Sequence, residues 1–181
     1  MNKFWVKVGV GVEAPESYKL TNAMYIYKYL RGYNWKDKPI CAIIGNMEAE
    51  CGMNPGQMET GQFTGMTSGL GLVQWTPGSI LKNYADAKGM NWYNYKCQLQ
   101  LMHREYKDSL IPGWQTYDQW IQKAYYPHSY NYFVNDNKSS IATLTEAFTR
   151  CYERPYLPTA HIDRRVAFAK KFYNYLKNHN P

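Results

Sequence analysis

The stretch that decides the fold is residues 39–51, PICAIIGNMEAEC. Its apolar side chains recur at intervals of three and four residues: Ile40, Ile43, Ile44, Met47 and Cys51. This period places them on one face of an α-helix, and Pro39 suits a first helical turn. The sequence therefore predicts a central helix with one buried face.

Further segments with helical spacing lie on both sides of this helix. They cover residues 18–31, 76–88, 95–109, 117–124, 140–152 and 162–177. Residues 52–75 differ, because six glycines and many Ser and Thr residues favour a loop with a short hairpin. We therefore predict a mainly α domain of about seven helices around a central helix, with a small β-hairpin wing.

Length and composition exclude several classes of protein. With 181 residues, 45% of them hydrophobic, the chain is long and apolar enough to bury a core, which excludes disorder. No window approaches the roughly 20 apolar residues of a membrane span, so we expect no integral membrane protein. The apolar residues 4–10 are interrupted by Lys7, which argues against a secretion signal. A site of action outside the cell would then require lysis, a phage particle or another machine.

The charge and the aromatic residues indicate the chemistry of a partner. The chain carries a net charge of +7 with 18 Tyr and 6 Trp, which suits a polar, anionic ligand such as nucleic acid or cell wall. A nucleic-acid binder should show a stripe of cations with interleaved aromatics. The nearest match, residues 164–173, looks like an ordinary solvated helix face, so we expect no nucleic-acid partner.

The cysteines and histidines do not form a recognisable metal or disulfide pattern. Cys41 and Cys51 lie on one predicted helix, about 15 Å apart, which is too far for a disulfide. No CxxC or HExxH motif occurs among the four cysteines and four histidines. We expect buried free thiols, no metal site and no cofactor.

The distribution of charge points to candidate catalytic residues. Residues 39–81 contain no Lys or Arg but three glutamates, Glu48, Glu50 and Glu59. A carboxyl group near apolar walls and far from cations can keep the proton that general-acid cleavage of an acetal requires. On a helical wheel Glu48 and Glu50 lie about 80° to either side of the apolar face, so periodicity does not choose between them. The position of Glu50, at the helix end before the glycine-rich loop, favours Glu50.

Four motifs carry a family resemblance. Residues 40–50, residues 54–56 (NPG), residues 71–77 (GLVQWTP) and residues 152–155 (YERP) resemble the phage tail lysozyme family. That family is similar to goose-type lysozymes and soluble lytic transglycosylases. The resemblance extends over about residues 20–177 and implies an α+β lysozyme-like catalytic domain, residues 18–181, after an N-terminal extension, residues 1–17.

The resemblance also implies a function and a location. It implies a muramidase that cuts peptidoglycan between N-acetylmuramic acid and N-acetylglucosamine. The protein would act in a phage tail, as part of the virion, or after delivery to the bacterial wall. Its partners would be peptidoglycan and other components of a phage tail or of a secretion or conjugation machine.

Site residues follow from the matching positions. Glu50 matches the catalytic acid, Gln74 a cleft-facing glutamine at a strand end, and Tyr152 an aromatic residue beside the acid. Trp75 and Asn54 complete the expected substrate-binding set. This chain departs from the related lysozymes in having Cys51 where they usually have serine after the glutamate. Longer phage proteins of this type also append a metallopeptidase, and nothing in these 181 residues predicts one.

The second carboxylate leaves the mechanism open. If Glu59 reaches across the cleft, an inverting hydrolase results, with carboxyl groups about 6.5–9.5 Å apart. If it does not, Glu50 acts alone, as in a lytic transglycosylase that forms an anhydro product. We favour hydrolysis, and a noncatalytic wall-binding or structural module is the remaining alternative.

Overall fold

The computed structural model describes residues 3–60, 68–107 and 119–179. This part of the chain contains seven α-helices: α1 (Glu16–Arg31), α2 (Asp37–Cys51), α3 (Ser79–Ala87), α4 (Tyr95–Lys107), α5 (Tyr130–Asn135), α6 (Ile141–Phe148) and α7 (Ile162–Asn178). Strands β1 (Gly9–Val10) and β2 (Gln57–Met58) pair in parallel, with Gly9 opposite Gln57. The predicted mainly α, lysozyme-like class with a very small sheet is confirmed.

One of the predicted helices is wrong. Residues 119–124 are not helical, and residues 117–118 lie outside the described part. Ile121 N donates to Cys151 O at 2.9 Å, so this backbone bonds to a distant segment instead of to its own preceding turn. Trp120 packs its ring 5.0 Å from that of Tyr130, which anchors the segment through tertiary contact. The structure has instead helix α5, which the sequence did not predict. Ser129 caps this helix, because its side-chain oxygen accepts a hydrogen bond from Tyr132 N.

The described residues divide into two compact units. The first lies within the ranges Met1–Tyr29 and Met47–Leu101, and the second within the ranges Leu30–Asn46 and Met102–Pro181. Helix α2 contributes residues to both, so the candidate glutamates near its end belong to the first unit.

Close backbone approach joins α2 and α7 in the second unit. A Cβ atom added to Gly45 would lie 2.6 Å from Ala169 N, which only glycine avoids. Next to this contact, Asn46 Oδ1 accepts from Thr149 Oγ1 at 2.8 Å and from Arg165 Nη1 at 2.9 Å. All three side chains are buried, so this polar network is satisfied within the core.

The small hairpin predicted for the wing is present in the first unit, and residues 61–67 of the predicted wing lie outside the described residues. Leu70 and Trp75 exchange both backbone hydrogen bonds, at 3.2 and 3.0 Å, around a turn formed by residues 71–74. Gln74 therefore lies in this turn, at a φ of +48°, and not at the end of a strand. The regular strand partner of β2 is β1, which comes from the predicted N-terminal extension.

Candidate active site

Glu48 has a cationic partner that the local sequence does not reveal. Its side chain is 4% exposed, and Oε1 lies 2.7 Å from Lys19 Nζ. Lys19 also contacts Glu16 at 2.9 Å and Glu13 at 3.3 Å. Residues 39–81 contain no cation, but α1 supplies one to Glu48, so the expectation of an uncompensated glutamate is wrong for Glu48.

The environment of Lys19 keeps it protonated. Burial by itself lowers the pKa of Lys19, but hydrogen bonds to Glu48 and Glu16 outweigh burial and raise the pKa above its usual 10.5. A protonated ammonium at 2.7 Å stabilises the ionised form of Glu48. Glu48 is therefore poorly suited to donate a proton to a substrate.

Glu50 lies at the end of α2, where helix gives way to the wing. Its side chain is half-buried, and its backbone carbonyl accepts from Gln57 Nε2 at 3.3 Å. The half-buried Gln74 donates Nε2 to Gly71 O at 2.8 Å and makes a longer bond of 3.4 Å to Gln57 O. Side chain–backbone bonds thus link Glu50, Gln57 and Gln74.

Gln57 is the member of this group that the sequence reading missed. It sits in β2, half-buried, and its Oε1 is buried without a hydrogen-bond donor among the described residues. A glutamine in a two-residue strand produces no periodic signal, and no motif quoted above includes it. Its position next to the helix end emerges only from the fold.

Glu59 is exposed and bound to its own wing. Its Oε2 accepts from Gly69 N at 2.7 Å, and its backbone N donates to Gly69 O at 3.0 Å. The carboxylate therefore has a defined position, set by the backbone of the hairpin.

Two other predicted substrate contacts are enclosed by protein. Asn54 is fully buried, and its Nδ2 donates to Lys7 O at 2.8 Å and also to Val12 O. Trp75 is 2% exposed. Side chains without accessible surface cannot touch a sugar in this conformation. Asn54 instead anchors the N-terminal segment through Lys7 O and Val12 O.

Tyr152 belongs to the second unit and is also fully buried. Its hydroxyl donates to Glu105 Oε2, and its ring stacks 4.5 Å from that of Phe148. Burial, with the nearby charge of Glu105, raises the pKa of Tyr152 well above 10.0. Tyr152 is thus a neutral donor within the core of its unit.

Comparison with known proteins gives a family. The model of the phage tail lysozyme family matches residues 21–176. This chain belongs to the phage tail lysozyme family. The resemblance inferred from the four motifs is thereby confirmed, and the domain is a lysozyme-like one of a peptidoglycan-degrading family.

A curated relative comes from a phage. The chain is 32% identical to Morphogenesis protein 1 of Bacillus phage B103 over 137 residues, which are 76% of this chain. The matched region is 34% of that protein, so this chain spans about a third of its relative.

The thiols of this phage tail lysozyme family member are buried and free, as predicted. Cys51, which stands where related lysozymes usually have serine, donates Sγ–H to Met47 O at 3.1 Å, within its own helix. Among the described residues no group of three or more acidic, histidine or cysteine side chains is placed to hold a metal ion. Nor does any described helix have the length and apolarity needed to cross a bilayer.

Proposed function

We propose that this chain cleaves peptidoglycan between N-acetylmuramic acid and N-acetylglucosamine, with Glu50 as the general acid. The observation that carries the proposal is the contrast between two neighbouring glutamates. Glu48 is buried against Lys19, whereas Glu50 is half-buried at the junction of α2 and the wing. Membership of the phage tail lysozyme family supports the substrate.

Hydrolysis requires a second group to activate water. Glu50 would protonate the glycosidic oxygen as the bond to the anomeric carbon breaks. Glu59 would take a proton from the water that attacks that carbon, giving inversion. The bond from Gly69 N occupies Oε2, so Oε1 would be the oxygen that takes this proton.

The bond between Glu59 and Gly69 favours a second candidate mechanism. If Glu59, held on the wing by this bond, does not reach across to the attacking water, Glu50 acts alone, first as acid and then as base. The 6-hydroxyl of the muramoyl residue then attacks its own anomeric carbon, and an anhydro product forms. This is the reaction of a lytic transglycosylase.

We assign substrate contact to Gln74, which is half-buried in the wing turn and is linked through Gln57 to the end of α2. Asn54 and Trp75 act from the interior of the first unit as positioning residues, and Tyr152 bonds to Glu105 within the core of the second unit. Residues 18–181 form the proposed catalytic domain, and β1 from residues 1–17 braces its wing by pairing with β2. A phage relative described as a morphogenesis protein supports a place in the virion or at the bacterial wall.

Loss of turbidity of purified peptidoglycan tests the assignment of the acid. We expect Glu50→Gln to lower the rate about 1,000-fold without a change in melting temperature, because only the proton donor is lost. If Glu50→Gln clears peptidoglycan as fast as wild type, Glu50 is not the general acid. Wild type that sediments with peptidoglycan without clearing it would indicate a wall-binding module.

Product analysis separates the two mechanisms. An inverting hydrolase gives reducing muramic ends and depends on Glu59, so Glu59→Gln should lower its rate at least about 100-fold. A lytic transglycosylase gives anhydro ends, lighter by one water, and should tolerate Glu59→Gln.

A further inference from the structure

A cavity of about 420 Å³ in the second unit combines cationic and apolar lining. Its cations are Lys123, Arg150 and Arg154. Its apolar surface includes Tyr125, Pro155 and Leu157. The volume falls within the range of about 300–1,000 Å³ that is typical of small-ligand sites.

The cations of this cavity exceed their acidic partners. Arg150 Nε pairs with Glu146 Oε1 at 2.7 Å, and its guanidinium lies 5.6 Å from the ring centre of Tyr125. Arg154 Nη1 donates to the neutral Gln119 O at 3.0 Å. Lys123 is exposed and forms no ion pair within the described residues. One ion pair for three cations leaves the lining net positive.

The backbone that presents the two arginines is irregular. Helix α6 continues as a π-helix over Thr149–Glu153, which carries Arg150. Arg154 follows in the left-handed conformation at a φ of +52°, and its N donates to Thr149 O at 2.7 Å. Such π-turns and positive-φ residues other than glycine are costly and concentrate at functional sites.

We infer that this cavity binds a carboxylate of the peptide that the wall glycan carries, an inference that rests on the proposed function. A guanidinium group matches a carboxylate in geometry and charge. The apolar wall of Tyr125, Pro155 and Leu157 suits the methyl groups of the alanines beside that carboxylate. A wall-polymer phosphate has the charge but not the adjacent apolar group, so the lining favours the peptide.

Binding of soluble probes to the full chain tests this inference by calorimetry. The probes are N-acetylmuramyl-alanyl-glutamate with free carboxylates, the same compound with its carboxylates amidated, and inorganic phosphate. We expect the free acid to bind at least about tenfold more tightly than the amide or phosphate.

Variants locate the binding. Lys123→Gln should weaken binding of the free acid about threefold, and addition of Arg154→Gln should weaken it at least about tenfold. Lys177→Gln is the matched control, because it removes the same charge from an exposed position on α7 outside the cavity. Lys123→Gln alone keeps the test valid if the arginine variant does not fold.

Three results would overturn the inference: equal binding of acid and amide, tighter binding of phosphate, or equal losses in Lys123→Gln and Lys177→Gln. The lytic assay is separate from this one. A chain that binds the peptide but cleaves no glycan would refute the proposed function and leave the peptide site standing. A chain that cleaves the glycan but fails the binding test would refute the peptide site and leave the proposed function standing.

Discussion

Lys19 Nζ lies 2.7 Å from Glu48 Oε1, and their side chains are only 8% and 4% exposed. This ion pair ties α1 to the last turns of α2, two residues before Glu50. A pair enclosed in this way is costly to break, because the remaining charge keeps its desolvation penalty.

Glu48→Gln should therefore reduce stability and leave the chemistry intact. We expect the free energy of unfolding to fall by about 1–3 kcal/mol, less than for an isolated buried pair, because Lys19 retains Glu16 and Glu13. Urea unfolding measures this loss, and the lytic rate of the folded protein should stay within about twofold of wild type. Glu16→Gln is the control. Because the Glu16 side chain is exposed, this substitution should lower the free energy of unfolding by less than about 0.5 kcal/mol. Loss of lysis in Glu48→Gln at unchanged stability would make Glu48 the acid.

Gly45→Ala should destabilise the contact between α2 and α7. The new methyl group would lie 2.6 Å from Ala169 N, so one of the helices must shift, at a cost of about 2 kcal/mol in the free energy of unfolding. Thermal and urea unfolding measure the loss. Ala169→Gly should not rescue the variant, because the backbone itself makes the clash. Full rescue would show that only the two methyl groups collide.

Asp136 should make the free energy of unfolding depend on pH in the acidic range. Burial raises its pKa, but hydrogen bonds from Ser139, Tyr126 and Lys138 outweigh burial and lower the pKa below 3.8. A lowered folded pKa means that the stabilisation is complete above about pH 3.8 and is lost as the pH falls through the folded value.

Asp136→Asn should thus cost about 1–3 kcal/mol at pH 7, because the amide puts a donor where an acceptor is needed. Urea unfolding at pH 7, 5 and 3 checks this. The difference in the free energy of unfolding between wild type and variant should become smaller below about pH 3.8. A gap of constant size would show that the charge of Asp136 contributes nothing.

The four cysteines should resist alkylation in the native protein. Burial raises the pKa of Cys97 to about 11 and that of Cys51 well above 9.0, so the reactive thiolate is scarce and enclosed. Mass spectrometry after iodoacetamide at pH 8 should find no adduct in native protein and four adducts in urea. Native labelling of Cys51 would place its thiol in an accessible groove.

The sequence predicted best where local periodicity and burial coincide. Helix α2 is the clearest case, because the five apolar residues of its predicted face repeat at helical spacing and all five are buried in the structure. Residues 119–124 show the opposite, since Trp120 and Ile121 make contacts and backbone bonds that only distant residues supply. Local propensity has no information about those partners.

For the site, the sequence by itself determined the family, the helix and the two competing glutamates, because ordered motifs and spacing along one chain carry that information. Only the tertiary structure decided that Lys19 pairs with Glu48, that Gln57 lies beside Glu50, and that Trp75 and Tyr152 are buried. The physical reason is the distance along the chain over which each property is set. Helical period is a property of neighbours, whereas ion pairing and burial depend on residues that folding brings together across the chain.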